Sequence, residues 1–168
     1  LHLSLRRQRQ MCIRDRMNAL LDESVIRALY AASADGVKID LIVRGACALR
    51  PGVPGLSDNI RVRSIVGRFL EHSRIYYFRN DLAHDIYLSS ADWMNRNLFR
   101  RIEVAFPILD PALKKRVIAE GLNPYLKDNM NTWELDSNGV YQKRKPRGKA
   151  SAFSAQQYLM QVLGTPVE

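Results

Sequence analysis

The chain is poor in the residues that build covalent or metal-held frameworks. Its 168 residues include only two cysteines, Cys12 and Cys47. That is too few for a disulfide scaffold, and their spacing fits no metal motif. Such cysteine usage points to a reducing, cytoplasmic setting. With only three histidines, no His/Cys cluster has the spacing of a zinc site. There is no Gly-x-x-x-x-Gly-Lys-Ser/Thr loop and no Gly-x-Gly-x-x-Gly motif, which removes P-loop kinases and Rossmann cofactor domains. No apolar run approaches the roughly 18 residues of a membrane-spanning helix, leaving peripheral contact as the one membrane association to consider. Acidic residues are also scarce, at 17 against 26 Lys and Arg.

What is present is a chain long enough for one domain with a real core. Its net charge of +9 is unevenly placed. Residues 1–16 carry five arginines and one aspartate, and residues 142–149 carry five cations and no acid. The remainder is neutral, but residues 44–74 hold six arginines against Asp58 and Glu71. Clustered cations of this kind raise the local concentration of a polyanionic partner. A solvated basic surface gives the same composition. Residues 1–16 differ from everything that follows and lack the apolar length of a signal peptide. They are expected to be an unrelated leader outside the fold, with residues 17–168 as the domain.

Hydrophobic periodicity predicts a helix over Leu20–Ala34, stopped by Gly36, and a buried strand over Val37–Val43. Residues 50–55 read as a loop, Ile60–Ser64 as a strand and Ile65–Glu71 as a short helix. Arg74–Phe78 and Asp85–Ser89 read as strands joined by a polar turn, and Ile102–Ile108 as another strand. Pro111 sits where a helix start tolerates it, and that helix is expected to run to about Ala119, ended by Gly121. A hairpin is expected for Thr132–Leu135 and Val140–Lys143 around Asp136–Gly139, and a last helix over Ala155–Leu163. Strands alternating with helices predict an α/β domain with a mixed sheet flanked by helices.

Three positions draw attention for chemistry. His72 precedes an apolar strand, and an imidazole titrating near neutrality suits proton transfer or phosphate contact. The alternative is a structural histidine at a helix C-terminus. Arg74, two residues on, offers a planar fork matched to phosphate oxygens, or a salt bridge to Glu71. Arg44 ends an apolar strand before Gly45, where ligands of open α/β sheets bind, or it simply reaches solvent. Ser89 and Ser90 end the strand after that of His72 and carry hydroxyls able to donate to phosphate. Asp92 reads best as the cap of a helix near Asn95–Arg101, with orientation of a histidine or arginine as its other use. His84 sits in a polar turn and is unremarkable. The basic run at 143–149 either tracks a phosphate chain or is a solvated loop.

Several motifs in order give a sharper reading. They are Met17–Leu20, Gly36–Gly52 with Val43-Arg44-Gly45 inside it, Asp58–Arg61, Ser64–Arg74 with Glu71-His72-Ser73-Arg74, Tyr87–Met94 and Arg101–Val104. Together they resemble the C-terminal part of bacterial polyphosphate kinase, from Met17 to about residue 163. The resemblance implies a single phospholipase D-like domain, the second of two. It implies reversible transfer of the terminal phosphate of ATP to inorganic polyphosphate in the whole protein, through a phosphohistidine on an upstream domain. His72 is then the second active-site histidine, catalytic and in contact with ATP, and Arg44 an ATP-phosphate contact. Arg74, Ser89 and Ser90 follow as further binding residues. Magnesium is expected mainly on the upstream domain, with no metal ligand in this chain. The partners implied are ATP, ADP, polyphosphate, the upstream domains and further copies in a homo-oligomer. The isolated chain is expected to be inactive. The phospholipase D signature His-x-Lys-x-x-x-x-Asp is degenerate here: His72 and Arg74 fill the first two places, but Arg79 stands at the third. A phosphodiesterase or nuclease is therefore the weaker alternative, and a non-catalytic polyanion-binding module the other.

Overall fold

The computed structural model of the chain describes residues 11–81, 83–146 and 151–164. Its elements, in chain order, are β1 (Cys12–Met17), α1 (Glu23–Ala34), β2 (Lys38–Val43), β3 (Ile60–Ile65), β4 (Ile75–Asn80), β5 (Ala83–Ser89), α2 (Asn95–Phe99), β6 (Ala105–Pro107) and α3 (Pro111–Arg116). A π-helical turn (Val117–Leu122), α4 (Asn123–Lys127), β7 (Thr132–Leu135), β8 (Tyr141–Lys143) and α5 (Ala155–Leu163) follow. All eight strands join one sheet in the order β6-β5-β4-β1-β2-β3-β7-β8. The central three, β1, β2 and β3, run parallel, and every other pairing is antiparallel. The expected mixed α/β sheet is what forms.

Side-chain alternation along the strands divides the core between the two faces. Ile39, Leu41 and Val43 of β2 pack with Val62 and Leu135 beneath Val25, Ile26 and Leu29 of α1. Asp22 starts that helix, its carboxylate accepting from the Ser24 and Val25 N–H groups at 3.1 Å. On the other face, Ile42 and Ile65 meet Tyr125, Ala155 and Leu159 of α4 and α5. Ile75, Tyr77 and Ile86 meet Leu122, Val117 and Ile118 of the π-helical turn.

Four expectations are corrected. The boundary at Met17 is wrong, because residues 12–16 form most of β1, paired with β2 on one side and β4 on the other. The leader's first ten residues lie outside the described set. Ile65–Glu71 is no helix: Ile65 finishes β3, and residues 66–74 form no regular element. The Phe69 N–H and C=O are taken instead by the buried Gln156 amide of α5, at 3.0 and 2.9 Å. The expected strand at 102–108 shrinks to β6 at the sheet's edge, with Ile102 fully exposed. Gly121 does not end the helix after Pro111, because the chain widens into the π-helical turn and continues into α4. A Cβ on Gly121 would sit 2.4 Å from the Ile75 side chain, so glycine there allows helix and sheet to touch. The basic tail is described only through residue 146, so the expectation for 147–149 falls outside.

β1 carries an unusual load for a central strand. Asp15 is fully buried; one carboxylate oxygen accepts from the Tyr77 N–H at 2.9 Å and the other has no partner among the described residues. Burial drives its carboxyl well above the usual range. The unfolded chain, with an ordinary aspartate pKa of about 4, gives up this proton first. Stability therefore falls as pH rises from about 4 toward the folded-state pKa. Asp15→Asn keeps an acceptor for Tyr77 and removes the charge. It is expected to stabilise the chain by about 1–3 kcal/mol near neutral pH. The gain should vanish near pH 3, where both forms are neutral. Melting curves at the two pH values test this, and an equal shift at both would refute it.

Candidate active site

The carboxyl ends of β1, β2 and β3 lie along one margin of the sheet, where an open α/β fold places its ligands. Arg16 stands at the end of β1, Arg44 immediately after β2, and the chain leaving β3 carries Glu71, His72 and Arg74 back toward β4. A cleft of about 820 Å³ opens here. Its polar side holds Arg16, Glu71, His72, Arg74 and Ser89, and its apolar side is built by Ile75, Leu88, Val117 and α5.

His72 and Arg74 face one another on this cleft. The two terminal guanidinium nitrogens of Arg74 lie 3.4 Å from Nδ1 and 3.0 Å from Nε2 of the imidazole. A neutral imidazole has one acceptor nitrogen, so one of these approaches is a hydrogen bond and the other a packing contact. Arg74 is fixed from behind by Asp92, whose carboxylate accepts its Nη2–H at 3.0 Å. The second Asp92 oxygen accepts from the N–H groups of Asn18 and Ala19 at 2.7 and 3.2 Å. Burial alone would raise the Asp92 carboxyl. The Arg74 guanidinium and the two N–H donors outweigh it and hold the group below the ordinary carboxylate range. The same hydrogen bond raises Arg74.

The expected capping role of Asp92 is thereby replaced by the orienting one. The residue before α2 is Met94, with no side-chain cap, and Asp92 is drawn to the start of the chain by its neighbours. Trp93 stacks on Tyr76 at 4.8 Å, and its N–H donates to the Ala19 carbonyl. The Tyr76 hydroxyl donates to Ala91 O at 2.6 Å. The phospholipase D signature asks for an acid at position 79, but Arg79 points its Nε to the Asp81 carbonyl. The acid beside this His-x-Arg pair comes instead from the strand exit at 92.

Arg44 does not line the large cleft. Its Nη1 donates to the Glu71 carbonyl at 2.7 Å, one residue before His72, and it borders a small adjoining cavity with Arg16, Ser73 and Tyr125. Ser89 reaches the cleft, but its hydroxyl donates to Val104 O at 3.0 Å and accepts from the Ala91 N–H at 3.0 Å. Ser90 turns away from the cleft to bind Glu103 and to accept from the Val104 N–H. His84 lies within β5 rather than in a turn, and its Nδ1 is 2.7 Å from the Tyr77 hydroxyl.

A cluster that sequence reasoning passed over completes the floor. The buried Arg16 makes an ion pair with Glu71 at 3.1 Å, donates to Gly121 O at 3.3 Å, and lies 3.6 Å over the Tyr125 ring. The Tyr125 hydroxyl donates to the other Glu71 oxygen. Burial is the main reason its phenol is pushed up to about 12. Glu71 is thus held by Arg16 and Tyr125 through its side chain and by Arg44 through its carbonyl, which fixes the approach of His72. Arg16 carried the same signal as Arg44, a cation at a strand's carboxyl end, but only once residues 12–16 are read as a strand. Gln156 and Gly67 carried no such signal. A Cβ on Gly67 would meet the Gln156 amide at 2.4 Å, so glycine is what lets α5 clasp the segment.

Among the described residues, no three His, Cys, Asp or Glu side chains gather as a metal site, and no helix is long and apolar enough to cross a membrane. Cys12 and Cys47 are free thiols, and burial pushes Cys47 up to about 11.

The profile of the family described as polyphosphate kinase C-terminal domain 2 matches residues 3–156. Polyphosphate kinase of Burkholderia lata is 68% identical over 130 residues, which are 77% of this chain and 19% of that protein. Polyphosphate kinase of Xylella fastidiosa is 58% identical over 148 residues, 88% of this chain and 21% of that protein. The crystal structure of polyphosphate kinase from Porphyromonas gingivalis superposes with a TM-score of 0.87 at 39% identity, over 97% of this chain and 26% of that one. The chain spans about a fifth of the length of the curated relatives it matches.

Proposed function

The chain belongs to the polyphosphate kinase C-terminal domain 2 family, and on that premise we propose that it supplies one wall of an ATP–polyphosphate phosphotransferase site. The reaction is the reversible transfer of the terminal phosphate of ATP to inorganic polyphosphate. The remaining wall, with the histidine that takes the phosphoryl group and the magnesium ligands, is contributed by upstream segments of the complete protein. The observation that carries this reading is the convergence of His72, Arg74 and the Arg44–Glu71 contact at the carboxyl margin of the parallel strands.

Phosphoryl transfer is chiefly a matter of positioning and charge neutralisation. Arg44 and Arg74 present forks suited to phosphate oxygens, and charge growing on the transferred group is what they would stabilise. To bind phosphate, Arg44 must share or exchange its bond to the Glu71 carbonyl, which ties nucleotide arrival to the placement of the next residue. His72, on the exposed side of Arg74, holds a proton at Nδ1 or Nε2 for the oxygen that leaves or attacks. Asp92 keeps Arg74 fixed while this happens. Magnesium, when bound by the upstream segments, would offset phosphate charge; nothing assigned to this chain depends on holding it. The reducing, cytoplasmic setting expected from cysteine usage and a homo-oligomeric whole protein belong to the same proposal.

The test is a chimera in which the upstream segments of a Burkholderia polyphosphate kinase precede residues 12–168, so that β1 and Arg16 are kept. It should make polyphosphate from ATP, whereas the 168-residue chain alone should show no sustained synthesis. Within the chimera, Arg44→Lys keeps the charge and loses the fork, so the KM for ATP is expected to rise about tenfold, a single lost charge-assisted hydrogen bond being worth roughly 1.5 kcal/mol. An inactive but folded chimera, or an unchanged KM, would count against the reading.

A further inference from the structure

Away from the His72 cleft, β3, β7 and β8 carry a second concave surface. Two adjoining grooves of about 300 and 430 Å³ share Glu134 and Arg144 and have no lining residue in common with the cleft. Arg61 and Arg63, two apart on β3, point to the same face. Arg63 stands opposite Glu134 of β7, which stands opposite Gln142 of β8. Just past β8, Arg144 and Lys145 join Lys143 along the outer groove.

Charge along this surface is incompletely neutralised. Glu134 faces Arg144 at 3.4 Å, and Asp40 faces Arg63 at 3.6 Å. Asp136 is occupied within its own turn, accepting from the Asn138 and Val140 N–H groups and from Gln142. Arg61, Lys143 and Lys145 have no ion pair among the described residues and are exposed. Arg63 adds a second kind of evidence. It is only 6% exposed, its Nη1 donates to Leu126 O at 2.7 Å, and its Nε has no partner. A buried guanidinium that is short of acceptors favours a further anion beside it.

We propose that the β3–β7–β8 groove is a secondary binding surface for long inorganic polyphosphate, engaged by Arg61, Lys143 and Lys145 with Arg63 and Arg144 behind them. The proposal rests on the polyphosphate reading of the function and adds to it a place where a chain too long for the active cleft is held. A polymer with one negative charge per repeat suits a row of separated cations, whereas a compact anion would meet only one or two. Binding of this kind releases counterions and weakens as salt rises.

The experiment measures binding of end-labelled long-chain polyphosphate to the 168-residue chain and to the Arg61→Gln/Lys143→Gln/Lys145→Gln variant, across a salt series. All three side chains are exposed, and equal melting temperatures would establish that the variant folds. The variant should lose about tenfold or more in affinity, and the slope of log K against log salt should shrink by about 2, since roughly 0.7 counterions are released per neutralised phosphate on a single-stranded polyanion. Tripolyphosphate and ATP should bind the two proteins equally. Unchanged long-chain affinity would overturn the groove. So would an equal loss for tripolyphosphate or ATP, which would place the effect in the cleft. A single-stranded oligonucleotide bound as tightly, and lost as fully, would overturn the assignment to polyphosphate. A failed chimera would instead strike the phosphotransferase reading, so the two failures are distinguishable.

Discussion

His72→Ala in the chimera is expected to lower the rate of polyphosphate synthesis by about 10²–10⁴, the usual worth of a positioned proton-transfer group. The melting temperature should stay where it was. His72 is exposed and its ring's hydrogen-bonding partner among the described residues is Arg74, which keeps its bond to Asp92 when the imidazole is gone. The loss should therefore appear in turnover rather than in folding. Initial rates with saturating ATP, read beside thermal melts of the same preparations, decide the matter. A near-normal rate at an unchanged melting temperature would remove His72 from the chemistry and leave Arg74 and Arg44 as a phosphate-binding pair alone.

Asp92→Ala should do the reverse, striking stability first. The Arg74 and Asp92 side chains are 11% and 2% exposed, so removing the carboxylate leaves a largely buried guanidinium without its partner. Breaking one side of a buried pair costs about 3–5 kcal/mol, which for a domain of this size corresponds to roughly 10 °C in melting temperature. The Asn18 and Ala19 N–H groups lose their acceptor as well. Asp92→Asn, which keeps an acceptor, should lose less. Acid acts on the same bond. Because Asp92 titrates below its unfolded value, its stabilisation is complete above about pH 4 and is lost as pH falls through the folded-state pKa. Denaturant melts between pH 7 and pH 3 should show the Asp92→Ala penalty shrinking at the acid end. A penalty independent of pH would mean that packing, not charge, is what the carboxylate supplies.

How much of this was legible in the residues depends on the kind of force that fixes each part. The strands β2 to β5, the 132–143 hairpin and the Ala155–Leu163 helix were legible because their apolar periodicity and turn residues are local. Arg44, His72 and Arg74 were legible as candidates because strand ends are where such folds bind ligands. The family motifs then named their roles. The 66–71 segment was misread because its apolar residues suit a helix, while the backbone bonds that decide its path come from Gln156, more than 80 positions away. Asp92 was misread for the same reason: its spacing before α2 is that of a cap, and its true donors sit at 18, 19 and 74. β1 was missed because the motifs of the resemblance were read as beginning at Met17, and because Arg14, Asp15 and Arg16 break the pattern of a buried strand. Only pairing on both sides makes that position central.

That placement of β1 has a consequence for how the domain comes apart. The strands β2, β3, β7 and β8 form one half-sheet and β4, β5 and β6 the other, and these halves exchange no strand pairing except through β1. The six residues of β1 are therefore the seam of the sheet among the described residues. During synthesis the first strand emerges long before β4, so one of its two edges stays open until residues 75–80 have followed. Peeling β1 away would leave two smaller sheets, each with a bare edge, rather than one sheet shortened by a strand. The cooperativity of unfolding in this domain is thus concentrated in the segment whose sequence is least like a core strand.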